Sequence, residues 1–283
     1  MRFWLRHAVL NLGSSQYTLD DLHFKFKVQF EDRPMTSTAT IEIYNLSPTK
    51  RATLTKGMPV ILSAGYKGDI GTIFVGQILE YTIDAGIPDN VTKITAADSL
   101  DAWLGSNINK TYKGPIYAQE ILDDLLNVFG IEVAMARLKT NKFYPRGRVC
   151  NSKTIKVLTQ IVCGDCESRL IIRCGQIIIN PPEEGIHSGF LLSPSTGLLL
   201  KSSKGESQDA VTQTNASAKS TRAAQNEAEG SMQRVCLMNY RIGCADLIRI
   251  QDSATNGTFL VKSGVHEGDR AGNWTTTLEV VPV

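Results

Sequence analysis

Between His23 and Phe30 the chain alternates without a break: Phe24, Phe26, Val28 and Phe30 point one way, Lys25, Lys27 and Gln29 the other. A period of two belongs to a strand with one buried and one wet face. Thr38–Tyr44 repeats the pattern through Ala39, Ile41 and Ile43, and residues 60–64 and 73–83 add further apolar-rich strands. Between them, Ser47 fits a helix N-cap with Pro48 at the first helical position, and the short run to Leu54 ends near Gly57. Many short strands with one small helix predict a β-barrel or sandwich over the first hundred residues.

The pattern changes after Ala97. Beyond Gly114-Pro115, the residues Ile121, Leu122, Leu125 and Phe129 recur at helical spacing, with Asp123, Asp124 and Asn127 opposite and Gly130 as a stop. A second helix is expected from the cap candidate Ser152, with Ile155, Leu158 and Val162 on one stripe. Residues 169–172 and 176–179 around Gly175 read as a hairpin that ends at Pro181-Pro182. The last third returns to strands, at 235–237, 247–251, 258–265 and 275–281. The expected division is a first β-barrel-like unit over 1–102, an α+β middle unit over 103–184 and a second β-barrel-like unit over 185–283. The fold class is therefore mainly β with an α+β insertion.

Residues 201–231 carry one large aliphatic side chain, Val211, and no aromatic, so they cannot bury a core alone. They read as a flexible polar surface insertion, or else as an arm that orders against a neighbouring subunit.

A chain of 283 residues with 42% hydrophobic and 20% charged residues has the composition of a soluble globular protein of two or three compact units. No apolar run approaches the roughly 20 residues that span a bilayer. The N-terminus is basic but lacks an apolar core and cleavage site, so use without export through a signal route is expected. A net charge of +2 gives no broad positive field for gripping nucleic acid. The six cysteines form no dense framework and are expected as reduced thiols.

Cys163-Gly164-Asp165-Cys166 has the spacing of half a zinc site or of a redox dithiol. A second ligand pair is needed, and Cys174 and His187 lack the paired spacing. The motif also lies near a helix end, whereas a dithiol is activated at a helix start. Ordinary partly buried cysteines are the simpler account. His266-Glu267-Gly268-Asp269 places a histidine with two carboxylates, but 268–273 is dense in turn formers between two strands and reads as a hairpin connection. Asp98, Asp101, Asp123 and Asp124 read as a solvated face. No nucleophile elbow, phosphate loop, dinucleotide fingerprint or His-Glu-x-x-His pair occurs. No catalytic, metal or cofactor residue is assigned from the sequence, no cofactor is expected, and the interface residues stay unassigned.

Two sets of segments carry a resemblance. Residues 39–47, then Arg51, Gly57, Ala64-Gly65-Tyr66 and Ile73-Phe74-Val75-Gly76, resemble the first domain of the tail baseplate hub proteins of bacteriophages and related contractile injection machines, the late control protein D-like hubs. Ser195-Thr196-Gly197-Leu198, the region of Gly243, Gly257-Thr258-Phe259-Leu260-Val261 and His266-Glu267-Gly268-Asp269 with Trp274-Thr275-Thr276 resemble the closing domain of the same family. The chain departs from it in the stretch 201–231 and in Cys244-Ala245-Asp246, where hub relatives more often carry a Pro-Gly turn.

The resemblance implies a non-enzymatic structural protein of the virion tail, synthesised in the bacterial cytoplasm. It implies a homotrimer whose two barrel-like units per chain make a pseudo-sixfold ring. Such a ring receives the hexameric tail tube protein above and a trimeric spike or tail-tip protein below, with baseplate wedge or fibre-attachment proteins outside. Tape-measure protein and DNA would pass through the lumen, and the chain itself would not insert in a membrane. The two terminal units are expected to be rough copies, closed sheets meeting edge to edge. The rival expectations are a tail-tip cell-wall hydrolase, which needs a cleft of acids or zinc ligands, and a carbohydrate-binding tail module, which needs an open aromatic row around Tyr112, Tyr117 or Tyr144.

Overall fold

In the computed structural model, which describes residues 5–34, 36–86, 88–199, 230–253 and 255–283, the predicted opening strands form a curled antiparallel sheet. Its strands are β1 (Arg6–Leu12), β2 (Ser15–Thr18), β3 (Phe24–Glu31), β4 (Thr38–Tyr44), β5 (Pro59–Tyr66), β6 (Asp69–Ala85) and β7 (Asn90–Ala97). They run side by side in the order β2-β1-β5-β6-β7-β4-β3. The alternation of β3 is realised in full, since Phe24, Phe26, Val28 and Phe30 are all buried. Between β4 and β5 lies the short helix α1 (Pro48–Ala52), whose cap Ser47 accepts from the backbone N–H of Lys50. The curled sheet wraps one apolar cluster that includes Phe24, Phe74, Leu10, Ile41, Leu62 and Ile94.

The middle of the chain holds α2 (Leu100–Gly105), β8 (Asn107–Lys113), β9 (Ile116–Tyr117), α3 (Ala118–Phe129), β10 (Glu132–Ala136), β11 (Phe143–Tyr144), β12 (Gly147–Lys153), α4 (Thr154–Thr159), β13 (Arg169–Arg173) and β14 (Gln176–Asn180). Helix α3 buries Ile121, Leu122, Leu125 and Phe129 and stops at Gly130, whose φ of 73° closes it. The second helix differs from expectation at both ends. Ser152 is a strand residue opposite Ile108, so α4 starts two residues later, and it continues into a π-helical turn, Gln160–Asp165. Strands β13 and β14 make the expected hairpin around Cys174-Gly175, and β10 adds to it in parallel.

The closing part contains β15 (Ile186–Leu192), β16 (Met232–Leu237), β17 (Asp246–Gln251), β18 (Asn256–Gly268) and β19 (Trp274–Pro282). Strand β15 has no counterpart in the sequence reading. It lies parallel to β17. Residues 201–229, nearly all of the polar stretch, lie outside the described residues. Among the described residues no helix is long and apolar enough to cross a membrane.

The two terminal units repeat one another in register. β4, β5, β6 and β7 are ordered 4-7-6-5, and β16, β17, β18 and β19 are ordered 16-19-18-17, every pair antiparallel. Leu79 is the extra residue of a bulge in β6, as Lys262 is in β18. Glu80 then faces Thr95 where Ser263 faces Glu279, and Val60 faces Gly76 where Ile248 faces Phe259. The chain is mainly β, as expected, but its sheets do not close into barrels. The outer edge of β3 pairs with residues 263–268 of β18, which joins the two units. One continuous sheet of 12 strands results.

Candidate functional site

The two repeated units meet along a paired strand edge that is built from both apolar and charged side chains. Residues 26–31 of β3 lie antiparallel against 263–268 of β18, from Phe26 opposite Gly268 to Glu31 opposite Ser263. The aromatic rings of β3 fit because β18 has no side chains beneath them. A Cβ on Gly268 would stand 2.1 Å from Cζ of Phe26, and one on Gly264 would stand 2.4 Å from Cζ of Phe30. Between these glycines, His266 is 3% exposed, its Nδ1 is 2.8 Å from Oγ1 of Thr276, and its ring lies 4.9 Å from that of Phe30. Burial, and secondarily the charge of Arg173, pulls its pKa down to about 3, so it is a neutral packing residue at physiological pH. The sequence reading placed this histidine at a hairpin connection. It sits inside β18, and the turn begins after Gly268, where Asp269 N–H donates to the Asn273 carbonyl at 2.8 Å.

Charged pairs fasten the junction on several sides. Where the bulge at Lys262 meets the end of β3, Asp32 N–H donates to the Lys262 carbonyl at 2.7 Å. The Asp32 carboxylate takes Arg169 Nε from β13 at 2.8 Å and Lys262 Nζ at 3.4 Å. Burial pushes the Asp32 carboxyl upward, and the two cations oppose that shift. At the far end of β13, Arg173 meets Asp246 at 3.0 Å. Asp69, at the β5–β6 turn, accepts both Arg241 guanidinium nitrogens at 2.6 and 3.0 Å and the Tyr240 hydroxyl at 3.0 Å. Trp274 completes the set by donating from Nε1 to the Gly65 carbonyl at 3.2 Å.

Asp98 corrects the sequence reading. It is 1% exposed, not solvated, and accepts from the Gly175 N–H at 3.1 Å and from the Ser99 hydroxyl at 2.7 Å. Its partner on the β13–β14 turn is non-local and could not be read from neighbouring residues. Asp101 bonds Gln77 at 2.5 Å, Asp123 bonds Gln119 at 2.8 Å, and Asp124 takes Lys110 at 2.7 Å and the Tyr112 hydroxyl. No two of these four carboxylates share a hydrogen-bonding partner.

Cys163 and Cys166 are free thiols, half-buried and buried, and burial raises the pKa of both. Asp165 between them turns to Arg148, Lys142 and the Tyr144 hydroxyl. Among the described residues no group of three or more His, Cys, Asp or Glu side chains stands ready to hold a metal ion. A cavity of about 20 Å³, room for roughly one water, lies where Asp98, Arg173, Cys244 and His266 converge. Tyr112 and Tyr144 are buried, while Tyr117 is exposed and packs against exposed Phe143 with ring centroids 5.0 Å apart.

No protein-family model matches this chain, and no curated protein matches it in sequence. Solved structures do match over nearly its whole length. The 43 kDa tail protein of prophage MuSo2 from Shewanella oneidensis is 12% identical, with a TM-score of 0.67 and 98% of each chain covered. This chain has a phage tail-protein fold. The tail protein from Neisseria meningitidis MC58 matches with a TM-score of 0.63 at 8% identity, covering 98% of this chain and 96% of that one. An Escherichia coli component of the type VI secretion system, itself similar in structure to the T4 bacteriophage tail proteins gp27 and gp5, matches with a TM-score of 0.64 at 10% identity. It covers 97% of this chain and 76% of that one.

Proposed function

We propose that this chain is the structural hub of a phage-type tail baseplate and carries no catalysis. The observation that supports it is the in-register repeat of one four-stranded unit at the two ends of a single chain, joined edge to edge through β3 and β18. Three such chains supply six similar units. A sixfold-like ring with true threefold symmetry is the economical adaptor between a hexameric tail tube protein and a trimeric spike or tail-tip protein. The likeness in fold to phage tail proteins supports the same reading.

On this reading the chain divides into two ring units, 1–102 and 185–283, and a middle unit, 103–184, standing outside the ring. Baseplate wedge or fibre-attachment proteins dock there, and the protein resides in the virion tail. The lumen passes tape-measure protein and DNA. A near-neutral chain suits a passage that must not retain a polyanion. Electron microscopy of the purified full chain tests the proposal. Class averages with six lobes around a central hole are expected, and particles without an annulus at any concentration would refute it.

A further inference from the structure

The two repeated units differ in what lies beyond the shared bulge. In the closing unit, residues 263–268 of β18 lie between β19 on one edge and β3 on the other. In the opening unit the equivalent residues are 80–85 of β6, since Ala85 faces Asn90 as Gly268 faces Trp274. Strand β5 stops pairing at Gln77, and Ile78 closes that edge with Gly57 N–H at 2.8 Å and the Met58 carbonyl at 2.9 Å. Beyond it, residues 80–85 pair with β7 alone among the described residues. Among the described residues, the slot that β3 fills on β18 is open on β6.

Side chains record the same difference. His266 is buried, with the Phe30 ring of β3 4.9 Å from its own, and Ile83, at the equivalent position of β6, is 43% exposed. Leu79, the bulge residue, is 41% exposed. An uncovered apolar side chain on a strand with a free edge is a template for another strand.

The closing unit also repeats the first contact of β3. In the opening unit β3 lies beside β4, with Phe24 opposite Ile43. In the closing unit Leu198 lies antiparallel opposite Cys236 of β16, the counterpart of Ile43, and Leu199 N–H donates to the Val235 carbonyl at 2.9 Å. Within the chain one such slot is filled, on β18 by β3, and the equivalent slot on β6 is unfilled among the described residues.

We propose that residues 80–85 are the docking edge for a second copy of this chain, which adds a strand antiparallel there as β3 does on β18. The contact is head-to-tail, and three copies related by a threefold axis close a ring through it. It rests on the ring reading above and names the joint. The test compares the wild-type full chain with Ile83→Lys, because a lysine blunts an edge strand and position 83 is exposed enough to accept it. Assembly is followed by sedimentation over a concentration series, folding by thermal melting, and backbone protection by hydrogen exchange of the wild type above and below its assembly threshold. Expected are slowed exchange at 80–85 on assembly and an assembly threshold raised about tenfold or more in the variant, with an unchanged melt. Wild-type assembly with unaltered exchange at 80–85, or a folded variant that assembles like the wild type, overturns the joint while leaving the ring. A wild type that stays monomeric throughout overturns both. Should the variant not fold, the wild-type exchange comparison decides.

Discussion

Gly264 and Phe30 face each other across the junction of the two units, and a Cβ at 264 would stand 2.4 Å from Cζ of Phe30 and 2.8 Å from the Thr277 carbonyl oxygen. The ring could swing aside, but the backbone oxygen could not. Position 264 therefore has no room for a side chain between the Phe30 ring of β3 and the backbone of β19.

Gly264→Ala should lower stability by about 1–3 kcal/mol, the usual cost of overpacking a filled interior. Chemical denaturation measures it. Phe30→Leu combined with Gly264→Ala should lose less than the sum of the two single losses, because the smaller side chain removes part of the clash. Strict additivity would mean that the two residues do not press on one another.

Arg169→Met would leave the buried Asp32 carboxylate with Lys262 as its ion-pair partner. Stripping one partner from a buried ion pair costs about 3–5 kcal/mol. Burial already raises the Asp32 pKa, and losing Arg169 raises it further. A carboxyl raised in the folded state contributes stability below its unfolded pKa that is lost as pH rises through its folded value. The penalty should thus be larger at pH 7.5 than at pH 4.5, as read from denaturation midpoints. An equal penalty at both would contradict the account.

His266 has the opposite sign. Its pKa falls from 6.5 to about 3 on folding, so its contribution is complete above about pH 6.5 and is lost as pH falls toward 3. At pH 5 the loss is about 2 kcal/mol. His266→Gln cannot titrate, so its stability should decline less than the wild type's between pH 7.5 and 5. Arg173, Asp98 and Asp246 near the same cavity are common to both proteins and cancel in the comparison.

The Asp69–Arg241 pair is more exposed, and Arg241 hydrogen bonds hold the Asp69 carboxyl below its usual range. A double-mutant cycle with Asp69→Asn and Arg241→Gln should give a coupling of about 0.2–1 kcal/mol at low salt and less at 1 M. A large coupling that salt leaves unchanged would speak against a surface clamp.

Much of the sheet was legible because local patterns carried it. The alternation of Phe24, Phe26, Val28 and Phe30, the stripe of Ile121, Leu122, Leu125 and Phe129, and the turn formers between Gly268 and Trp274 each fix an element from neighbouring residues. What stayed hidden depends on distant partners. Strand β15 breaks its alternation between His187 and Phe190 and gains its place from a parallel neighbour, β17. Asp98 looks like a surface acid until the Gly175 N–H is brought to it. The joining of the two units rests on Phe30 and Gly264, far apart in sequence, whose strands pair edge to edge. The repeat of bulges at Leu79 and Lys262 leaves no mark in residue type, one being apolar and the other charged.

The mass of the intact native assembly, measured for the full chain across a concentration series, tests the hub reading most directly. Three chains per particle are predicted. A species that remains a single chain of 31.0 kDa at the highest concentrations would contradict it.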